Sequence, residues 1–356
     1  MIKMKARTDC TNREASAIRG AAIIFALLTV SVFILILGHN PLSVYASMIE
    51  GAFGTLYRIT ETLRKSIPLI VASLGISLAF RLKFWNIGAE GQIMMGAMGA
   101  TFCALNFPDL SPWILLPMMG AASIICGGIW GAIPAYFRAK WRTNETIFTL
   151  MMNYVALKWL TYLQYGPWKD PAALGFPKIP GFSPNAILPD VFGLHAGWII
   201  AIVLVVIVHL FIHHTQRGYE ISVVGGSENT GRYAGMNVKN VIIYTLFFSG
   251  GICGICGMIE ASGVNRTLSV EITRGAGYTA IITCWLSSLK APVIPVVCVL
   301  FAAMIQGGTF IQMAFQIPQS AAQILQGTIL FFVLGSEFFI RYRISMVKDV
   351  ESEEAE

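Results

Sequence analysis

The chain has 356 residues, of which 55% are hydrophobic and 12% are charged, with a mean hydropathy of +0.66. Soluble domains carry about 25% charged residues, so this composition excludes a soluble protein and predicts an all-α, polytopic membrane protein surrounded by lipid. The net charge of +6 is explained without a nucleic-acid partner, because basic residues concentrate in the inner loops of membrane proteins.

Ten apolar segments are predicted to be transmembrane helices, since a hydrocarbon core needs about 20 apolar helical residues. The segment 277–289 is the shortest of them, and 42–63 is expected to lie in the membrane interface because it mixes polar and apolar residues at helical spacing. The predicted spans are 20–38, 64–81, 90–107, 113–136, 146–165, 197–213, 241–262, 277–289, 292–310 and 320–340.

The basic residues predict the orientation of these spans. With the N-terminus inside, 17 of the 25 Lys and Arg residues fall in inner segments and 7 in outer loops, which favours both termini inside. We therefore expect a cytoplasmic tail at 1–19, a single transmembrane domain at 20–340 and an acidic cytoplasmic tail at 341–356. The protein is expected to be a multi-pass protein of the cell membrane.

Two connections are too long to be simple turns. The outer loop 166–196 is rich in proline and glycine, and the inner loop 214–240 is polar. Loops of this length inside a compact domain are usually functional.

The inner loop contains glycines at the spacing of a phosphate-binding loop, Gly226 and Gly231. That motif requires Lys and then Ser or Thr after its second glycine, whereas Arg232 and Tyr233 occupy those positions. The chain is therefore predicted to hold no ATP site of its own.

The same stretch favours a short helix over 227–234, with Ser227 as N-cap and Gly235 as its C-terminal stop. Such a helix would suit docking to a cytoplasmic partner. The alternative is a solvated connector.

Cys253 and Cys256 form a C-x-x-C within a glycine-rich apolar segment. A redox or metal role would require a second cysteine pair or nearby histidines. Close packing of small residues between helices is the favoured explanation, and no metal site is predicted.

The segment FWNIGAEGQ, residues 84–92, places polar groups and two glycines between two apolar stretches. It fits an unwound, substrate-binding break of the kind that transporters build. It equally fits a plain inner turn, with Asn86 as a cap and Glu90 in the first helical turn. Polar residues inside spans usually line a pathway or pair with one another; those of interest are Asn86, Glu90, Gln92, Asn153 and Gln326.

Five blocks in order resemble ABC-importer permeases of the nucleoside/simple-sugar class, which work with a basic-membrane-protein-type lipoprotein receptor. ISLAFRLKFWNIGAEGQIMMGAMGA is similar to the signature F-N-I-G-x-E-G-Q, and RTNETIFTLMMNYVA to N-E-x-I-x-T-x-M-L-N-Y-x-A. The other blocks are 218–237, 275–292 and 317–339. The chain departs from the family pattern in CWLSS, where A-L-L-G is usual, and at Ser222, Thr230 and Gly231.

This resemblance implies a permease subunit, not an enzyme, that carries nucleosides or, alternatively, simple sugars. It implies separate ATPase subunits that hold ATP and Mg²⁺, a second permease that is homologous or identical, and a substrate-binding lipoprotein outside. Trp85 and Tyr154 would be candidates for stacking on a base, beside the polar pathway residues. The residues implied to couple to the ATPase are Gly226, Ser227, Glu228, Asn229, Arg232 and Gly235.

The main rival is an ion-coupled secondary transporter with Glu90 as the ion site. It predicts uptake that depends on an ion gradient and requires no ATPase. A membrane enzyme is disfavoured, because the histidines form no cluster beyond His213-His214.

Overall fold

The computed structural model describes residues 2–6 and 12–346. The predicted tail 1–19 is therefore described except for 1 and 7–11, and residues 347–356 of the predicted acidic tail lie outside the described residues. The helices, in chain order, are α1 (Asn12–Ile36), α2 (Pro41–Phe53), α3 (Leu56–Arg81), α4 (Ala89–Asn106), α5 (Pro112–Trp141), α6 (Glu145–Tyr165), α7 (Gly197–His214), α8 (Gln216–Gly226), α9 (Glu228–Tyr233), α10 (Val238–Ile259), α11 (Ala276–Leu286), α12 (Ile294–Ala314) and α13 (Gln319–Arg341).

Four short strands form two antiparallel pairs. β1 (Ile2–Ala6) pairs with β4 (Tyr342–Met346), and β2 (Asp190–Val191) pairs with β3 (Leu194–His195). The chain divides into two compact units, Met1–Ile59 with Ala303–Glu356 and Thr60–Ala302.

In the first unit, α1 and α2 meet at a sharp bend. The apolar part of α1, Gly20–Ile36, makes an angle of 111° with α2. Asn40 caps α2 by accepting a hydrogen bond from the Leu42 amide at 2.9 Å, and Pro41 occupies the first helical position, where its missing N–H costs nothing. The segment 42–63, predicted as one interfacial helix, is thus divided between α2 and the start of α3.

Within the described ranges, six helices are long and apolar enough to cross a membrane, or seven if the bent pair counts as one span. The six are α3, α5, α7, α10 with the π-helical turn that follows it, α12 and α13. The predicted all-α membrane fold is confirmed, but the count of ten spans and the orientation are not. α11 has 11 residues, about 17 Å of helix, which is too short for a core about 30 Å thick.

The second unit is organised around α10, which packs between α4 and α5. Gly250, Gly254 and Gly257 lie at helical spacing on α10, and a Cβ at any of them would overlap a backbone carbonyl of a neighbouring helix. For Gly254 that carbonyl belongs to Ser123, and for Gly257 to Ile93. The three glycines therefore allow backbones to approach closely, as small residues do between membrane helices.

The two cysteines of the C-x-x-C lie in this same packed region. Both are fully buried, and their thiols donate to the carbonyls of Ala72 and Pro68 at 3.8 and 3.4 Å. The described cysteines are all free, and no group of three or more His, Cys, Asp or Glu side chains within the described ranges is arranged to hold a metal ion.

Candidate functional site

The polar residues of the FWNIGAEGQ segment lie at the junction of α3 and α4. The helix α3 ends at Arg81, and α4 begins at Ala89 with Gly88 as its N-cap. The side chains of Asn86 and Gln92 are 0% and 1% exposed. Each amide donates to the other's oxygen at 3.2 Å, and the Asn86 oxygen also accepts from the Gly88 amide at 3.1 Å.

Helix α6 supplies the hydrogen bonds that the unwound backbone lacks. Asn153 accepts from the Gly91 amide at 2.8 Å and donates to the Ile87 carbonyl at 2.9 Å. The Ile87 amide donates to the Thr149 hydroxyl at 3.2 Å. Non-helical backbone at membrane depth requires partners of this kind within the protein. The junction is therefore a break whose polar groups are satisfied by a neighbouring helix.

Glu90 serves a different helix from the one that contains it. Its carboxylate is 4% exposed and accepts from the Gly277 amide, in the first turn of α11, at 2.9 Å. The Thr273 side chain and the Gly275 backbone also lie close to it. An anion at a helix N-terminus satisfies its free amides and complements its dipole. Glu90 therefore anchors the start of α11 to the start of α4.

The segment was expected to be either a substrate-binding break or a plain turn, and the structure differs from the plain turn in the role of Asn86. Asn86 was expected to cap α4 in the plain-turn alternative, but the N-cap is Gly88, and Asn86 pairs with Gln92 instead. Glu90 does lie in the first turn of α4. Its carboxylate, however, is directed to α11.

The predicted aromatic residues, Trp85 and Tyr154, directly precede and follow cluster residues in the sequence. Trp85 is 48% exposed and stacks on Trp285 at 5.6 Å between ring centroids. Tyr154 is exposed, and the half-exposed Tyr278 accepts a hydrogen bond from Asn153 at 3.3 Å. Tyr278 was not singled out from the sequence, although it follows directly on the glycine-rich entry to α11.

Gln326 lies in the other compact unit. It is on α13, and its side chain lies over Gly308 of α12, where a Cβ would overlap it. The predicted pathway set therefore comprises a cluster of four residues, two aromatic neighbours and Gln326 in a separate unit.

The predicted docking segment forms the helix α9. The Ser227 side chain accepts from the Thr230 amide at 3.3 Å, and Gly235 has a φ of +76°, as helix stops commonly do. The predicted cap and stop are confirmed. Asn229 and Arg232 are exposed, Glu228 is partly exposed, and Gly226 lies at the end of α8.

Charged side chains that the sequence alone did not single out surround α9. Arg138 lies 3.1 Å from Glu145 and 3.8 Å from Glu228, while Lys83 donates to the Gly226 carbonyl at 3.3 Å. For Glu145 the sequence held one indication. It precedes Thr149 and Asn153 at intervals of four residues, so the three share one face of α6.

The loop 166–196 ends in a buried histidine. His195 is 1% exposed, and within the described ranges neither of its ring nitrogens has a hydrogen-bond partner. Gly197 and Gly263 pack against the ring, each so closely that a Cβ would overlap it. Burial, with a smaller contribution from Arg64, lowers the pKa of His195 to about 4.

We expect this histidine to make the fold less stable in acid. Its pKa is lower in the folded chain than its ordinary value of 6.5, so the unfolded chain binds more protons between about pH 6.5 and 4. The stabilisation is complete above pH 6.5 and is lost as the pH falls through this range. Thermal unfolding in detergent should show a midpoint that decreases by a few degrees from pH 7 to pH 5.

The matched variants are His195→Leu, which removes the titrating group, and His214→Gln at an exposed site. His195→Leu should flatten the decrease whatever its own stability, whereas His214→Gln should retain it. Equal pH dependence in all three proteins would contradict the assignment.

Taken together, the packed apolar helices, the broken polar junction and the short exposed helix α9 fit a polytopic membrane transport subunit. The family described as "Branched-chain amino acid transport system / permease component" matches residues 58–334, and the chain belongs to this family. The predictions of a permease, rather than an enzyme, and of a multi-pass location in the cell membrane are thereby confirmed.

Relatives of similar length are also permeases. The chain is 31% identical to the glucose ABC transporter permease protein TsgB13 of Haloferax volcanii, over 94% of this chain and 90% of that one. It is 29% identical to the guanosine ABC transporter permease protein NupP of Bacillus subtilis, over 92% and 95%. It is 27% identical to the nucleoside ABC transporter permease protein NupB of Lactococcus lactis, over 94% of both chains.

Proposed function

We propose that this chain is the translocating subunit of an ATP-driven importer of nucleosides. The observation that carries the proposal is the half-exposed Tyr278, whose hydroxyl accepts from Asn153 of a buried cluster of amides and a carboxylate. Trp85 and Tyr154 are also exposed and adjoin cluster residues in the sequence. Aromatic faces stack on bases, and amide groups suit the hydroxyls of a ribose and the edges of a base. Two of the three near-full-length relatives are named for guanosine or nucleoside transport.

In this proposal the pathway includes Asn86, Glu90, Gln92 and Asn153 with their aromatic neighbours. Gln326 stays a separate candidate from the sequence. The cluster is closed by its own hydrogen bonds in this structure. Opening the junction would free amide and carboxylate groups for the substrate at the cost of those bonds. Such a break can exchange internal partners for ligand partners.

The energy for transport would come from partner ATPases that hold ATP and Mg²⁺. Support comes from α9, a short exposed helix with a fixed cap and stop that would dock on the ATPase through Ser227, Glu228, Asn229 and Arg232. A second permease and a substrate-binding lipoprotein would complete the importer, the lipoprotein contacting the loop 166–196.

A simple sugar is the second candidate for the substrate, because the glucose permease relative is 31% identical to this chain. Hydroxyl groups of a sugar would hydrogen-bond to the same amide cluster. The neighbouring aromatic rings would then have no base to stack on.

The test is uptake into vesicles that contain the complete complex, with guanosine, other nucleosides, glucose and ribose compared. We expect nucleosides to be taken up and to stimulate ATP hydrolysis. Stimulation by glucose alone would replace the nucleoside proposal with the sugar one. Uptake that persists when the ATPase subunits are inactivated, and that follows an ion gradient, would favour a secondary transporter.

A further inference from the structure

One face of α6 extends from the charged side chains beside α9 to the polar junction between α3 and α4. Glu145, Thr149 and Asn153 follow one another at intervals of four residues and therefore share a face of the helix. Glu145 lies 3.1 Å from Arg138 of α5, while the Thr149 hydroxyl and the Asn153 side chain both bond to the Ile87 backbone between α3 and α4. A movement of the Glu145 end along α6 would therefore act directly on the junction.

Arg138 joins this face to α9. Its guanidinium contacts Glu145 through Nε and lies 3.8 Å from Glu228 through Nη2, and Glu228 is also 3.7 Å from Arg232. A cavity of about 180 Å³ is lined by Arg138, Glu145, Glu228 and Lys83, among others. The cavity leaves room for the distance between Arg138 and Glu228 to change.

A second connection leads from the end of α8 to the same junction. Gly225 packs on the Arg81 carbonyl so closely that a Cβ there would overlap it. Lys83 donates to the Gly226 carbonyl at 3.3 Å, and Val224 shares a buried apolar cluster with Phe84. The segment before α9 is thus held against the start of the FWNIGAEGQ segment by backbone packing.

We propose that Arg138 is a positioning residue that transmits displacement of α9 through Glu145 and α6 to the polar junction, which deepens the coupling role of α9 in the proposed function. Partly exposed ion pairs are weak, so the Arg138 contacts can form and break during a transport cycle. The Gly225 packing supplies the fixed end against which they act. Coupling between two sites requires an element with two arrangements that both sites influence.

The test compares Arg138→Gln with Arg142→Gln in the complete complex reconstituted in vesicles. Both variants remove one arginine charge from the same end of α5, but Arg142 is an exposed residue just beyond the helix. The readout is the number of substrate molecules taken up per ATP hydrolysed. We expect Arg138→Gln to lower this ratio about fivefold or more while ATP hydrolysis continues, and Arg142→Gln to leave it unchanged.

Two further variants keep the inference falsifiable. Glu228→Gln removes the Arg138–Glu228 ion pair at its more exposed residue, and it should also lower the uptake per ATP hydrolysed. This variant tests the inference even if Arg138→Gln prevents assembly. Arg138→Lys should recover part of what Arg138→Gln loses, because it keeps a positive charge between Glu145 and Glu228. A merely structural role would change assembly or stability, without such recovery of the ratio.

The outcomes separate this inference from the proposed function. A wild-type complex that takes up no nucleoside contradicts the proposed function. Nucleoside uptake by the wild type, together with an unchanged ratio in both Arg138→Gln and Glu228→Gln, contradicts only the role of Arg138.

Discussion

Gly254→Leu is expected to prevent the chain from reaching a stable folded state. A Cβ at Gly254 would overlap the Ser123 carbonyl, and the Gly127 backbone lies just beyond it. Both neighbours are backbone atoms, so no change of rotamer can relieve the overlap. Overpacking of a dense core costs about 1–3 kcal/mol or more, and here α10 would also have to separate from α5.

The matched control is Gly120→Leu, on α5, where a Cβ would meet nothing within 4 Å. Both substitutions add the same side chain to a glycine in a helix. The measurement is the yield of monodisperse protein in detergent and its thermal unfolding midpoint. If Gly254→Leu behaves like Gly120→Leu, the close approach of α5 and α10 is wrong.

Glu90→Gln is expected to lower uptake at least tenfold while the importer still assembles. Glutamine keeps the shape of the side chain and one acceptor oxygen, but it removes the charge that faces the first turn of α11. Hydrogen bonds to charged groups contribute about 1.5–3 kcal/mol, which corresponds to about 10–150-fold. The start of α11 would lose its anchor, and the junction would change its preferred arrangement.

The control is Glu271→Gln, an exposed glutamate close in sequence to the same helix entry. Assembly is followed by size-exclusion chromatography of the complex, and uptake is measured for each nucleoside. Normal uptake and an unchanged substrate preference in Glu90→Gln would restrict Glu90 to a helix-dipole partner.

Local features were predictable from the sequence because they depend on near neighbours. Ser227 and Gly235 delimit α9 as expected, since a hydroxyl before a helix and a glycine after it act within one turn. The sequence also predicted that Gln92 and Asn153 would line a pathway or pair with other polar groups, and in the structure both side chains form hydrogen bonds within the protein.

Features that depend on distant partners were not predictable. Glu90 and Gly277 are 187 positions apart, and nothing in either segment specifies that they meet. The count of ten spans is not confirmed: α4 and α6 carry polar residues that lower their hydropathy, and some of these residues bond to each other's segments. The predicted span 277–289 corresponds to α11, whose 11 residues are too few to cross a bilayer as a helix.

The pairing of β1 with β4 constrains how the chain is threaded through the bilayer. Ile2 lies opposite Met346 and Ala6 opposite Tyr342, so the two ends of the described chain lie side by side, as the expected orientation with both termini on one side requires. A polypeptide whose ends share a surface makes an even number of crossings. The expected count of ten crossings has this parity.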